Sequence, residues 1–173
     1  VYSDRYFQIV KILVEAGTNL SAVNREGNSA LELMVNSSQF DVRRGVDYFL
    51  QKGVRVTEVA VSRAVAATAS AMDEAGYLHG LVVVEQLLGV SEFDAFEFLL
   101  ESLNRGQGKF FHVKFNEYLL SRGKDLCTAK RNLGFLKTFT SPNYSSHREI
   151  YLQIAVLYKA RGITEDLDCP KPS

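Results

Sequence analysis

The 173 residues suffice for one ordinary domain or one short repeat array, and an apolar fraction of 46% supplies a core without disulfides or metals. Basic and acidic residues both number 20, which argues against a partner as strongly charged as bulk DNA. Cys127 and Cys169 are too few for a disulfide scaffold, so we expect reduced thiols.

The sequence contains no run of 18 apolar residues, which argues against a membrane span, and it begins without methionine inside a helical pattern. No signal peptide opens it. We therefore expect an intracellular, cytoplasmic location and a monomeric fragment of a longer protein, whose targeting signals would lie elsewhere.

Glycines follow apolar helical runs at regular intervals along the whole chain. The steps between them are 36, 36, 34 and 39 residues, and the glycines are Gly17, Gly53, Gly89, Gly123 and Gly162. The first run carries Ile9, Ile12 and Leu13 at helical spacing. Glycine just past a helix commonly takes a left-handed conformation, and punctuation of this period is typical of a repeat array. The alternative is an irregular helical bundle in which the spacing of the glycines is coincidental.

The intervals leave room for two helices in each repeat, and no segment reads convincingly as a strand. The first helices are predicted at residues 29–36, 57–71, 92–103 and 128–139. The second helices are predicted at residues 3–15, 40–51, 77–88, 112–121 and 147–159.

Polar residues at the predicted helix starts support these positions. "SALE" at 29–32 is a capping box, in which Ser29 caps a backbone N–H and Glu32 reaches back. "SEFD" at 91–94 is a looser version of the same pattern, while Thr57 and Asp125 are predicted N-caps.

The N-terminal stretch "VKILVEAGTNLSAVNREGNSALELMV" resembles an ankyrin repeat junction. Gly17 stands at the helix end, Leu20 is the apolar loop residue, Asn24 stands at the family's loop aspartate and Gly27 at its loop glycine. The family's Thr-Pro-Leu-His-Leu run is matched by Ser29, Ala30, Leu31, Glu32 and Leu33. The resemblance implies a projecting hairpin, with Leu31 and Leu33 packed into the stack.

The sequence also departs from the family pattern. Ala30 replaces proline, Glu32 replaces histidine, and Ser21 stands where an asparagine is frequent. The match is strong over residues 6–35, moderate over 36–56 and weak beyond. We therefore expect an all-α, ankyrin-like solenoid of four to five degenerate helix pairs over residues 1–163, with a C-terminal tail at 164–173.

Catalytic and metal-binding motifs are weak. "GQGK" at 106–109 lacks the length and the Ser/Thr of a phosphate loop. The three histidines, His79, His112 and His147, lack metal-ligand spacing with the cysteines and are predicted at the surface or at helix ends. No motif surrounds Cys127 that would make it a nucleophile. We expect no enzyme activity and no cofactor.

Charge is segregated in the second half of the chain. Residues 64–104 contain seven acidic residues and no Lys or Arg, whereas residues 105–137 contain eight Lys or Arg and two acidic residues. Complementary solvated faces of neighbouring helices would explain this, and a partner with a matching bipolar surface is the functional alternative. The aromatic segment "KFFHVKF" at 109–115 is core or, alternatively, a partner anchor.

These patterns favour a protein–protein interaction module that binds a protein partner across a concave face. The alternatives are a regulatory or scaffolding segment of a larger enzyme, whose catalytic domain lies outside this chain, and a nucleic-acid contact through residues 105–137. The expected partner-binding residues are Asn24, Arg25, Glu26, Arg63, Glu92, Glu97, Lys130 and Arg131.

Overall fold

The computed structural model describes residues 2–37, 41–105, 110–141 and 148–169, and these segments are helical without a β-strand. A 3-10 turn, Ala95–Phe98, leads directly into the helix that begins at Leu99. The helices are α1 (Tyr2–Glu15), α2 (Ala30–Val35), α3 (Val42–Gln51), α4 (Glu58–Ala69), α5 (Glu74–Val90), α6 (Leu99–Arg105), α7 (Phe110–Arg122), α8 (Leu126–Lys130), α9 (Leu133–Thr140) and α10 (Arg148–Ala160). Within the described residues, no helix has the length and apolarity to cross a bilayer.

The helices form two rows. One row contains α2, α4 and α6, with the 3-10 turn of α6 reaching α8, and the other contains α3, α5, α7 and α10. The rows are joined pairwise, because α2 packs on α3, α4 on α5, α6 on α7, and α9 on α10. The core lies between the rows and is continuous from Leu31 to Ile163. The all-α class predicted from the sequence is confirmed.

Two of the predicted first helices are shorter or broken. The helix expected at 92–103 begins with the 3-10 turn because Asp94, rather than Ser91, caps it by accepting a hydrogen bond from Phe96 N at 2.9 Å. The helix expected at 128–139 is divided into α8 and α9 by a turn at residues 131–132. The capping predictions at Ser29, Thr57 and Asp125 are confirmed.

The glycine predictions hold at three of the five positions. Gly17, Gly53 and Gly162 have φ of 87°, 77° and 82°, as expected after a helix. Gly89 lies inside α5, and Gly123 lacks a positive φ. Gly123 serves packing instead, since a Cβ there would lie 2.1 Å from the Phe96 ring.

The prediction of two reduced thiols is wrong. Cys127 and Cys169 form a disulfide, with Cα atoms 5.6 Å apart. Their separation of 42 residues in sequence is bridged because the segment after α10 turns back across α8 and α9. Two further contacts fix it there, an ion pair of 2.7 Å between Lys137 and Glu165, and a hydrogen bond from Lys130 Nζ to the Leu167 carbonyl.

Helix α1 contacts the rest of the chain through a different side from the one that its apolar residues predict. Phe7 is buried and lies edge-on to Tyr48 of α3, with ring centroids 5.5 Å apart, and Arg44 lies over the same ring. The apolar residues that recur at helical spacing in its sequence are exposed, however, with Ile9 at 53%, Ile12 at 64% and Leu13 at 52%. In α2, Leu31 is fully buried as expected, whereas Leu33 is 46% exposed because it points away from the core.

Candidate functional site

A groove of about 690 Å³ runs along the exposed side of the first row of helices. It crosses from α2 over α4 to α6, so that three successive elements of the row contribute to it. The lining residues are Asn36, Glu58, Val59, Ser62, Arg63, Ala66, Ala67, Ser70 and Glu101.

The floor of the groove is a stripe of small side chains on α4. That helix buries Ala60, Val61, Ala64, Val65 and Thr68 on its opposite side. Helical periodicity therefore places Val59, Ser62, Ala66 and Ser70 in line on the groove side. Because these side chains are short, a bound chain could approach the helix closely, and Val59, 47% exposed, offers an apolar contact at one end.

Glu32 and Arg63 hold the α2 edge of the groove in place. The Glu32 carboxylate accepts hydrogen bonds from Ser29 N at 2.7 Å and from Thr57 Oγ1 at 2.6 Å, which ties the start of α2 to the start of α4. Arg63 donates to the Glu32 carbonyl at 3.1 Å and to Asn28 Oδ1 at 2.6 Å. The groove edge is thus cross-linked between two helix pairs.

The protonation of Glu32 reflects this network. Burial opposes its ionisation, but the hydrogen bonds from Thr57 and Ser29 and the positive charge of Arg63 outweigh that effect and lower the pKa of Glu32. The buried carboxylate therefore stays charged and acts as a structural acceptor.

The opposite part of the groove is acidic. Glu58 and Glu101 line it, and Glu97 lies close enough to sense the charges of Glu58 and Arg131. Partial desolvation raises the pKa of Glu97, and the negative charges of Asp94 and Glu58 add to that rise. A hydrogen bond with the Asp94 backbone and, to a smaller extent, the positive charge of Arg131 oppose it. This part of the surface favours a positively charged ligand group.

The expected binding residues of the hairpin lie outside the groove. Asn24 Oδ1 accepts hydrogen bonds from Glu26 N at 3.0 Å and Asn28 N at 2.9 Å, so its side chain shapes the turn. An isolated bridge between Val23 and Ser29 closes the turn, and Gly27 has a φ of 80°. Arg25 and Glu26 are exposed at its tip.

Of the other expected residues, Arg63 lines the groove, whereas Glu97 lies outside the lining, near enough to Glu58 for the two charges to interact. Glu92 instead lines two crevices on either side of the segment that joins α5 to the 3-10 turn. Lys130 is half-buried and bonded to the Leu167 carbonyl, so its expected free charge is engaged by the C-terminal segment. Arg131 is exposed and donates to Thr128 Oγ1 at 2.7 Å.

The aromatic segment at 109–115 is not an exposed anchor where it is described. His112 and Phe115 are fully buried, so the surface alternative predicted for His112 is wrong, whereas its position in the first turn of α7 agrees with the helix-end alternative. His79 is exposed on α5. His147, "GQGK" at 106–109 and the side chains of residues 110 and 111 lie outside the described residues.

The acidic and basic segments contact each other through an ion pair and through a carboxylate that accepts backbone hydrogen bonds. Arg122 of α7 lies 3.3 Å from Glu85 of α5, and Asp94 Oδ2 accepts hydrogen bonds from Lys124 N and Asp125 N at 2.8 and 3.1 Å. These contacts agree with complementary neighbouring faces. No cluster of three potential metal ligands occurs in the described part of the chain.

Sequence reasoning missed most of the groove lining. The alternation in "EVAVSRAVAATAS" carries the available signal, because its small residues recur at helical spacing on the side opposite the buried valines. Asn36 and Glu101 carry no local signal, since they reach the groove through the packing of α2 and α6 on α4.

Comparison with known proteins adds no relative. No protein family matches the chain, and neither a curated protein nor a solved structure shows significant similarity to it. The resemblance to ankyrin repeats therefore rests on the residues quoted above.

Proposed function

We propose that this chain is an ankyrin-like helical repeat module that binds a protein partner in the groove across α2, α4 and α6. The groove itself is the observation that carries the proposal, since it spans successive helices of one row and has a floor of short side chains. The internal period of about 36 residues and the hairpin at Gly27 support the repeat assignment.

The lining suggests the chemistry of the partner. Glu58 and Glu101 favour a lysine or arginine, while Val59 and the alanines of α4 favour a small apolar side chain beside it. Charges at such a surface mainly set orientation and association rate, and the apolar contact contributes more of the affinity. The ligand is therefore a basic, partly apolar segment of another protein.

The proposal assigns no catalytic step and no cofactor to the chain. The alternative of a regulatory segment in a larger enzyme uses the same groove, with the catalytic domain as its occupant or neighbour. The disulfide favours an oxidising compartment, which weighs against the intracellular location expected from the sequence. That location remains a prediction.

A displayed library of random peptides, selected on the whole chain, tests the groove. We expect enriched peptides to carry Lys or Arg next to a small apolar residue and to lose affinity as salt rises. Ala67→Trp, at an exposed lining position, should weaken the selected peptides at least tenfold by filling the groove.

The matched control is Ala75→Trp, an exposed position on α5 that does not line the groove. It should leave the dissociation constant unchanged. Equal binding to the wild-type chain and to Ala67→Trp would show that the peptides bind elsewhere, and the groove assignment would then be wrong.

A further inference from the structure

We infer that the exposed apolar stripe of α1 is a stacking surface for one more helix, joined directly ahead of α1 in the same polypeptide. The stripe consists of Tyr6, Ile9 and Leu13, which are 41%, 53% and 52% exposed. They recur at spacings of three and four residues and so lie on one side of the helix. This inference rests on helix packing and does not depend on groove binding.

The same stripe is buried in the next helix of the row. An offset of 36 residues relates Gly17 to Gly53, and it places Tyr6, Ile9 and Leu13 at Val42, Gly45 and Phe49 of α3. Val42 is 8% exposed, Phe49 is 3% exposed and Gly45 is buried.

The covering element in α3 is the helix that precedes it. A Cβ at Gly45 would lie 2.5 Å from Met34 Sδ of α2, so the two helices meet at that glycine.

The arrangement repeats one pair further along. An offset of 35 residues from α3 places Tyr77, Gly80 and Val84 of α5 in the stripe, and Tyr77 and Val84 are buried. A Cβ at Gly80 would lie 2.4 Å from Thr68 Oγ1, which belongs to the preceding helix α4.

Helix α1 is already bound to α3 through a different side. Phe7 makes that contact, with Arg44 stacked on its ring and an ion pair of 3.0 Å from Arg44 to Asp4. The exposed stripe is therefore not the surface by which α1 joins the row. It occupies on α1 the position at which α3 is covered by α2 and α5 is covered by α4. This correspondence identifies the occupant as a helix equivalent to α2.

One residue defines the shape of that helix. Ile9 stands where α3 and α5 carry glycine, so the covering helix needs a small side chain opposite it, where α2 has Met34 and α4 has Thr68. A copy of α2 with alanine at the Met34 position satisfies this requirement.

The test adds such a helix to the whole chain. A copy of residues 27–36, with alanine at the Met34 position, is fused directly ahead of Val1. Each copied residue then stands 36 positions before its original, which is the spacing between Gly17 and Gly53. We expect Tm to rise by about 4 °C and the fluorescence of an apolar dye bound to the chain to fall. The matched control extension has the same sequence except for serine at the Leu31 and Val35 positions. It should change neither Tm nor the dye fluorescence.

Ile9→Ser separates stacking from a general effect of the extension. In the unextended chain it should change Tm little, because Ile9 is half exposed, whereas in the extended chain it should cancel the rise. An equal Tm for the α2-like and control extensions would overturn the inference. A dimer of the unextended chain would also overturn the inference if Ile9→Ser dissociated it and the extension left it intact. The occupant of the stripe would then be a second copy of the chain.

Discussion

His112 is a titratable side chain held entirely inside the protein. It is fully buried on α7, its ring lies edge-on to Tyr151 with centroids 5.8 Å apart, and Ser102 of α6 lies beside it. Burial lowers the pKa of His112 to about 4, against a smaller opposing effect of the Ser102 backbone. The unfolded chain therefore takes up this proton at a higher pH than the folded chain does.

We expect the free energy of unfolding to fall as pH drops from about 6.5 towards 4, by about 2 to 3 kcal/mol at pH 4.5 relative to pH 7. His112→Leu should remove this part of the pH dependence, whatever its effect on stability at pH 7. Urea denaturation at the two pH values measures it. A pH dependence in His112→Leu equal to that of the wild-type chain would contradict the prediction.

Substitutions at Gly27 test whether the turn of the hairpin requires a positive φ at that residue. Its φ is 80°, and a Cβ there would meet no atom within 4 Å, so a substitution is opposed by backbone strain and not by crowding. Gly27→Val should destabilise the chain by roughly 1 kcal/mol or more, and Gly27→Asn by less, because asparagine tolerates the left-handed region. Equal melting temperatures for the two variants would contradict the assignment of strain.

Whether a side-chain contact could be predicted from the sequence depends on how many residues separate its two partners along the chain. The capping box of Ser29 and Glu32 and the caps at Thr57 and Asp125 depend on neighbours a few residues away, and all were predicted. The hydrogen bond from Thr57 to Glu32 spans 25 residues, and the burial of His112 depends on α10. Neither follows from local pattern, because both arise from the packing of separate helices.

Among the elements, α5 and α7 show that two similar glycines can have different roles. Gly89 is exposed within α5, and a Cβ there would meet nothing within 4 Å. Gly123 follows α7, is buried, and lies against the Phe96 ring. Both follow apolar runs in the sequence, which is why the pattern assigned both the same helix-ending role.

Alanine should separate the two roles. Gly123→Ala should destabilise the chain by about 2 kcal/mol or more, because the Phe96 ring between two helices has to move. Gly89→Ala should leave stability unchanged or raise it by up to about 1 kcal/mol, since alanine favours the helix. Chemical denaturation measures both, and a similar loss in the two variants would indicate that both glycines act as helix stops.

The existence of the helices was predictable where apolar residues recur regularly, as in α3 and α5. The division between α8 and α9 was not, because it occurs at Arg131 and Asn132, where neither glycine nor proline marks the chain. The exposure of Ile12 was also missed, since periodicity identifies an apolar face without showing whether another element covers it.

For the whole molecule, the disulfide between Cys127 and Cys169 fixes the C-terminal segment. It closes a loop of 42 residues, which in the chain-entropy description contributes up to about 4 kcal/mol. We expect reduction to lower Tm by up to about 10 °C. The double variant Cys127→Ser/Cys169→Ser should melt like the reduced chain and be insensitive to reductant, whereas an unchanged Tm on reduction would show that the bond adds no stability.

The candidate site was the least predictable feature at this scale. Of the lining residues, Arg63 was expected, because it was predicted to lie on the concave face of the stacked helices. The groove depends on the distances between α2, α4 and α6, which no local pattern encodes. The disulfide was missed for a related reason, because the path of residues 164–169 back to α8 is a tertiary property.

The two-row packing has a consequence for the order in which the chain opens. Each helix contacts mainly its neighbours, so the cost of detaching an element depends on its place in the row. Helix α1 is attached through Phe7 and Arg44, whereas the opposite end is tied by a covalent bond. Native-state hydrogen exchange should therefore release the amides of α1 first, and those of α4 and α5 with global unfolding. Adding reductant should create a second early-exchanging end at α8 to α10, and the molecule would then open from both sides towards α4.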